Sequence, residues 1–224
     1  MLDSVMTGLL MLGAATQSEV SYQVISEESR MTIEVGRAGF LKMFGHDHLI
    51  EVGALEGSVS WNAESPRESR FILEVDASSL TVADAELGED DRAKIQSDME
   101  TKALLLGEHP MIRFESSATK LVKKDEGIYR LEIAGSLSLR GVEKDLVVPA
   151  SVEIKGDRMF ARGALELPSD EWGVPEISVA GGSVKTKKEL KIAFEIVARP
   201  RETSSSSRPS PDLVDSREGA PEPP

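Results

Sequence analysis

The chain has 224 residues, of which 40% are hydrophobic and 29% charged, so it is long enough to bury one core and still carry extensions. Its formal charge of −13 and its scattered basic residues argue against a nucleic-acid partner, because phosphate binding needs a clustered basic surface. The chain contains no cysteine, which excludes disulfide scaffolds, thiolate zinc sites and cysteine nucleophiles.

Residues 1–18 contain one apolar run, Val5 to Ala15, which is too short to span a bilayer but suits the hydrophobic region of a secretory signal. Gly13 and Ala15 fit the positions before a cleavage point. Asp3 and the absence of Lys or Arg are atypical of a signal, and an incorrectly assigned start codon would explain them. We expect residues 1–18 to be a signal peptide or a plain N-terminal extension.

Between residues 19 and 200 the dominant hydrophobic period is two, which predicts about eight or nine β-strands. Turn residues such as Asp125-Glu126-Gly127, Gly141 and Lys155-Gly156-Asp157 separate the strands. Many strands joined by short hairpins predict an antiparallel sheet that closes on itself or doubles up to hide its edges. The clearest alternating series are Met31-Ile33-Val35, Phe71-Leu73-Val75, Tyr129-Leu131-Ile133, Val148-Ala150-Val152 and Ile192-Phe194-Ile196.

One segment breaks this pattern. Asp90 to Leu106 has no Gly or Pro, and its apolar residues recur at helical spacing. We expect an amphipathic helix across the strand assembly, capped by Asp90 and ended by Gly107. Residues 201–224 are rich in Ser and Pro and lack aromatic residues, so they cannot bury enough apolar surface to offset the entropy of ordering; we expect a disordered acidic tail.

The segment His46-Asp47-His48 holds two of the three histidines. On a strand, alternation places both imidazoles on the same face as Ile50, while Asp47 points to the opposite face. Asp47 is then poorly placed to orient either ring as in a catalytic triad. Three interpretations remain open: contacts to a ligand headgroup, a metal site with His109 as a third ligand, or imidazoles bonded to backbone and water.

Six segments, in this order along the chain, carry a family resemblance. They are FGHDH at 44–48, VDASSL at 75–80, DDRAKIQSDM at 90–99, HPMIRFESS at 109–117, AGSLSLRGVEKDLVVP at 134–149 and WGVPEISVAGGSVKTKKELKIAFEIVA at 172–198. Through them, the stretch from Tyr22 to Ala198 resembles the YceI family of lipocalin-like polyisoprenoid-binding proteins. Members of this family are usually exported, so the resemblance implies a periplasmic or secreted protein.

The resemblance implies an all-β fold with one helix: a closed antiparallel lipocalin-like β-barrel of about eight strands, with the α-helix near one opening. It also implies an apolar cavity that holds a polyprenol or the tail of an isoprenoid quinone. No catalysis is implied, and no cofactor other than such a lipid or quinone.

An interior of this size suits either packed side chains or one ligand. A fully packed barrel that acts as an interaction module is therefore the alternative to a carrier. The sequence does not specify the oligomeric state, and a homodimer is among the arrangements it allows. We expect ligand contacts from His46, His48, Phe44, Phe114 and Trp172, with Phe40 and Trp61 as further aromatics that shape the cavity.

Overall fold

The structure is a computed structural model that describes residues 19–38, 47–179 and 184–201. The predicted signal or extension (residues 1–18) and nearly all of the predicted tail lie outside the described residues. The described strands are β1 (Glu19–Val24), β2 (Arg30–Ala38), β3 (His48–Val52), β4 (Leu55–Asn62), β5 (Arg70–Asp76), β6 (Leu80–Val82), β7 (Met111–Asp125), β8 (Ile128–Leu139), β9 (Val142–Lys155), β10 (Arg158–Pro168), β11 (Ser178–Val179) and β12 (Val184–Pro200).

Eight of these strands form a closed antiparallel barrel, which confirms the fold that the family resemblance implies. Their order is β1-β4-β5-β7-β8-β9-β10-β12. The first and last strands of that series pair with each other, with Tyr22 opposite Pro200 and Val24 opposite Ala198. This pairing closes the sheet and satisfies the backbone groups that a sheet edge would leave open.

The remaining described strands extend one end of the barrel. Strand β12 is 17 residues long. One of its two sides pairs with β2 over Lys185 to Glu195, and the same side then pairs with β1 over Ala198 to Pro200. Strand β2 continues the sheet to β3 and then to β6, and the short strand β11 also pairs with β12. These additions explain why the described residues contain twelve strands, more than the eight or nine predicted.

Tight hairpins join the long strands. Glu126 and Gly127 both have positive φ, as do Arg140 and Gly141. Two successive left-handed residues give the type of hairpin turn whose twist matches the strands it connects. The sequence predicts turns at both glycines, and both are confirmed.

The helix begins earlier and ends earlier than the sequence predicts. Helix α1 spans Glu89–Asp98, with Gly88 rather than Asp90 at its N-cap, and a π-helical turn continues it over Met99–Leu104. It ends where Leu105 takes a left-handed backbone conformation, before Gly107. The predicted cap was wrong, since Asp90 lies inside the first turn together with Glu89 and Asp91. In that turn, their negative charges interact favourably with the positive end of the helix dipole.

Helix α1 covers the free edge of β6 through one side chain. The Gln96 amide accepts a hydrogen bond from the Val82 N–H (2.9 Å) and donates one to the Leu80 carbonyl (2.8 Å). The amide thus replaces a neighbouring strand at this edge, and it holds the helix at the barrel opening. Among the described residues, no helix is long and apolar enough to cross a bilayer.

Candidate functional site

The barrel encloses a cavity of about 850 Å³, which lies in the range of ligand-binding cavities. Side chains from the barrel strands, β2, β3, β6 and α1 line it, and most of them are aliphatic. The alternative prediction, a barrel whose interior is fully packed with side chains, is therefore wrong. The inward faces of the strands supply the lining because alternation places every second residue of a strand on the same side.

Two phenylalanines lie along the cavity wall against glycines of the neighbouring strand. A Cβ atom on Gly135 would come within 2.7 Å of the Phe114 ring, and one on Gly163 within 2.5 Å of the Phe194 ring. Both Phe114 and Phe194 line the cavity. The glycines leave room for each ring on the wall, which keeps the lumen open between them.

One end of the barrel is packed solid. The side chains of Trp61 and Tyr129 meet edge to face, with ring centroids 5.0 Å apart and an interplanar angle of 83°. Together with Leu131, Val152 and Met159 they belong to one buried apolar cluster. These five side chains are buried and do not line the cavity, so the lumen ends above them.

The other end carries polar groups. Arg37, His48, Asp91, Lys94 and Lys187 border the cavity where β2, β3, α1 and β12 come together. We call this polar end the mouth. The site as a whole is a deep apolar cavity with charged and hydrogen-bonding groups at one end, a shape suited to a molecule with a long apolar part and a small polar head.

His48 lies at the mouth and has a carboxylate partner that the sequence did not suggest. Its Nδ1 is 2.7 Å from Oδ2 of Asp84, and the other carboxylate oxygen of Asp84 accepts the Leu49 N–H at 2.7 Å. The Asp84 side chain is only 10% exposed. An ionised carboxylate can only accept hydrogen bonds, so Nδ1 carries a proton and Nε2 remains as the other polar atom of the ring.

The predicted alternation along β3 is confirmed. Ile50 and Val52 are buried, whereas Asp47 and Leu49 are exposed on the opposite side. Asp47 accepts hydrogen bonds from the backbone N–H and the Nε of Arg37, at 3.1 and 3.0 Å. The hydrogen bond from the Arg37 side chain is the main cause that holds the pKa of Asp47 below its usual value. Asp47 therefore orders the end of β2 and does not orient His48.

The other predicted ligand residues fall into separate groups. Phe114 lines the cavity. Trp172 is buried in the core, where its indole N–H donates to the Leu137 carbonyl at 3.0 Å, and it is not among the lining residues. Phe44 and His46, like Phe40, lie outside the described residues.

Sequence reasoning missed Phe71 and Phe194, which line the cavity. Both stand at inward positions of predicted strands, so the alternating pattern carried the signal. The position of Asp84 at the site could not be predicted from the alternating pattern, because Asp84 follows the short strand β6 in a stretch without clear periodicity.

The alternative of a metal site has no support from the part of the chain that the structure describes, which contains no group of three or more His, Cys, Asp or Glu side chains arranged to hold a metal ion. The His109 ring lies against Gly141, where an added Cβ would be 2.5 Å from its Cε1. Because His46 lies outside the described residues, the metal hypothesis stays a prediction.

Comparison with known proteins agrees with this architecture. The model of the YceI-like domain matches residues 22–198. The chain belongs to the YceI-like family. A UPF0312 protein of Azotobacter vinelandii is 25% identical over 215 residues, which cover 95% of this YceI-like chain and 93% of the relative.

Solved structures share the YceI-like fold at low sequence identity. Burkholderia cenocepacia BcnA is 16% identical, with a TM-score of 0.61 over 78% of this chain and 98% of its own. A polyisoprenoid binding domain from Saccharophagus degradans, implicated in plant cell wall breakdown, is 11% identical, with a TM-score of 0.58 over 81% of this chain and 99% of its own. The YCEI protein of Campylobacter jejuni is 12% identical, with a TM-score of 0.52 over 68% of this chain and 85% of its own.

Proposed function

We propose that this protein is a non-enzymatic carrier that holds one amphiphilic isoprenoid lipid, a polyprenol or an isoprenoid quinone, in the barrel. The observation that carries the proposal is the cavity of about 850 Å³, apolar along its length and polar only at its mouth. Burial of hydrocarbon contributes about 25 cal/mol per Å² and needs no specific contacts, so a flexible tail suits an aliphatic lumen. The fold shared with a polyisoprenoid-binding domain supports the same assignment.

In this proposal the headgroup lies at the mouth beside His48, and the tail runs toward the Trp61 end. His48 offers Nε2 as a hydrogen-bonding atom, and Asp84 fixes the orientation of the ring. His46 and Phe44 precede β3 in the sequence, and we propose that they also contact the ligand near the mouth.

Lipid extraction tests the carrier function directly. The protein is purified in its folded state from its native host, extracted with organic solvent, and the extract is analysed by mass spectrometry; the delipidated protein is then offered a polyprenol and an isoprenoid quinone. We expect one lipid per protein chain. A folded protein that neither carries a lipid nor takes one up contradicts the proposal.

Two neighbouring valines provide a matched pair of variants for that test. Val148 faces the lumen and lines the cavity, whereas Val147 is 53% exposed on the outside of the barrel. We expect Val148→Trp to obstruct the lumen and abolish lipid uptake, and Val147→Trp to take up lipid like the parent protein. Equal uptake by both variants would place the lipid outside the barrel.

We also propose that the protein works in the periplasm or outside the cell, because residues 1–18 resemble a secretory signal. N-terminal sequencing of the mature protein tests this. Loss of the segment up to about Ala15 supports export, and a mature protein that retains Met1 contradicts it.

A further inference from the structure

The cavity ends at one level around the barrel. On each of β4, β8 and β9, one inward-facing residue is the last to line the cavity. The next inward-facing residue away from the mouth is buried and does not line the cavity. These residue pairs are Val59 and Trp61, Ile133 and Leu131, and Ala150 and Val152. The same step occurs on β1, β10 and β12. The cavity therefore ends at a boundary shared by six strands. We call the buried inward-facing residues just beyond this boundary the floor of the lumen.

The floor is tightly packed. Trp61 and Met159 are each 1% exposed, and Val152 is fully buried. The edge-to-face contact of Trp61 with Tyr129 spans the space between β4 and β8. A hydrocarbon chain that enters from the mouth therefore cannot extend past this level unless the side chains of the floor move.

The distance from mouth to floor is fixed by the strands themselves. On β12 the lining residues run from Lys185 at the mouth to Ile196 above the floor. At about 3.3 Å per residue and a tilt of about 40°, this stretch corresponds to roughly 28 Å along the barrel axis. The lumen thus has a definite depth, which side chains at both ends define.

We propose that this floor sets the length of the isoprenoid chain that the protein prefers. The inference rests on the proposed carrier function and adds a residue-level determinant of chain length to it. Each methylene group that enters the lumen raises the affinity by about fourfold. Once the chain reaches the floor, a further isoprene unit has to double back or remain in water at the mouth, so the affinity stops rising.

Ala150 provides the sharpest test because it is the last lining residue on β9. Ala150→Leu adds carbon atoms to empty space, so it raises the floor without overpacking the core. The protein is offered a mixture of all-trans polyprenols that differ by single isoprene units, and the bound lengths are read by native mass spectrometry. We expect the preferred length to move toward shorter chains. The affinity for the longest well-bound chain should fall by between fourfold and about 60-fold, the range for displacing one to three carbon groups.

Two further variants complete the experiment. Ala134→Leu makes the same substitution on β8 at a residue that does not line the cavity and faces outward between Ala118 and Val147; its length profile should equal that of the parent protein. Met159→Ala lowers the floor and should admit longer chains. If Met159→Ala does not fold, Ala150→Leu alone decides the question.

The outcomes separate the two proposals. If the parent protein takes up neither a polyprenol nor an isoprenoid quinone of any tail length, the carrier function fails and the inference fails with it. If the parent protein binds polyprenols but Ala150→Leu leaves the length profile unchanged, the carrier function stands and the floor does not select length. A profile that shifts equally in Ala134→Leu would also overturn the inference.

Discussion

The Nδ1 atom of His48 lies 2.7 Å from the Asp84 carboxylate, and the two residues are 36 positions apart in the chain. The pairing fixes the ring at the mouth of the cavity and also fixes which nitrogen carries a proton. When the ring is neutral, Nδ1 donates to Asp84 and Nε2 is left as an acceptor. An acceptor at this position suits a headgroup that donates a hydrogen bond, such as the hydroxyl of a polyprenol.

Asp84→Asn should reverse that preference. The side-chain oxygen of the introduced asparagine can still accept the Leu49 N–H, while its amide group donates to Nδ1, so the neutral ring must carry its proton on Nε2. We expect the ratio of affinities for a polyprenol over a quinone of equal tail length to fall by about fivefold, the equivalent of one hydrogen bond of about 1 kcal/mol. Competition binding measures the ratio, and ¹⁵N spectra of the imidazole report the tautomer.

Asp47→Asn is the matched control for that experiment. Asp47 is the carboxylate next to His48 in sequence, but it lies on the opposite face of the strand and pairs with Arg37. The headgroup preference should not change in this variant. An equal effect of both substitutions would point to the net charge near the mouth and not to the tautomer of His48.

Gln96→Leu should loosen the helix from the barrel. The substitution leaves the Val82 N–H and the Leu80 carbonyl without their side-chain partner, and each unpaired buried group costs about 1–3 kcal/mol. We expect a lower free energy of unfolding and faster hydrogen exchange at the Val82 amide. Glu100→Ala is the control: it removes a third contact of Gln96, at 2.7 Å, and spares the two to β6, so exchange at Val82 should remain slow.

The strands and hairpins were predictable because their signal is local and repeated, whereas the closure into one barrel was implied by the resemblance to the YceI family. The period of two along strands such as Phe71-Leu73-Val75 identifies an inward face at each step, and positive-φ turns at Gly127 and Gly141 fix the hairpins. The alternation around His48 was predictable for the same reason. By contrast, the extension of the sheet through β2, β3 and β6 depends on the length of β12, which can pair with two strands on one side.

The identity of the residues that line the cavity was less predictable than the strands that form its walls. Trp172 is predicted to contact the ligand and Trp61 to shape the cavity, yet Trp61 packs into the floor and Trp172 donates to a backbone carbonyl in the wall. Which inward residue lines the lumen depends on how far along the barrel it lies, and alternation does not contain that information. The partnership of His48 with Asp84 likewise depends on how β6 pairs with β3, which no local pattern specifies.

Asp47→Asn should also remove part of the acid sensitivity of the protein. Because the hydrogen bond from Arg37 lowers the folded-state pKa of Asp47 below the ordinary value of 3.8, this pair stabilises the fold above that pH. The contribution is lost as the pH falls through the lower folded-state pKa. The Asp47 side chain is 48% exposed, so solvent screening keeps the effect below about 1 kcal/mol.

Urea unfolding as a function of pH measures this contribution. The parent protein should be more stable than Asp47→Asn at pH 6, and the difference should be constant down to about pH 5 and vanish at lower pH. A difference that grows as the pH falls has the wrong sign and contradicts the assignment.

The two tryptophans should respond differently to the same substitution. Trp61 and Trp172 are 1% and 2% exposed, so Trp→Phe removes a similar buried area at each. The indole N–H of Trp172 donates to Leu137, whereas that of Trp61 is buried with no hydrogen-bond partner among the residues that the structure describes. Trp172→Phe therefore loses a hydrogen bond, while Trp61→Phe removes a donor whose burial is unfavourable.

We expect Trp172→Phe to lower the free energy of unfolding by about 1–2 kcal/mol more than Trp61→Phe does, as measured by urea unfolding. Equal losses would mean that the Trp61 N–H has a partner, such as a buried water molecule.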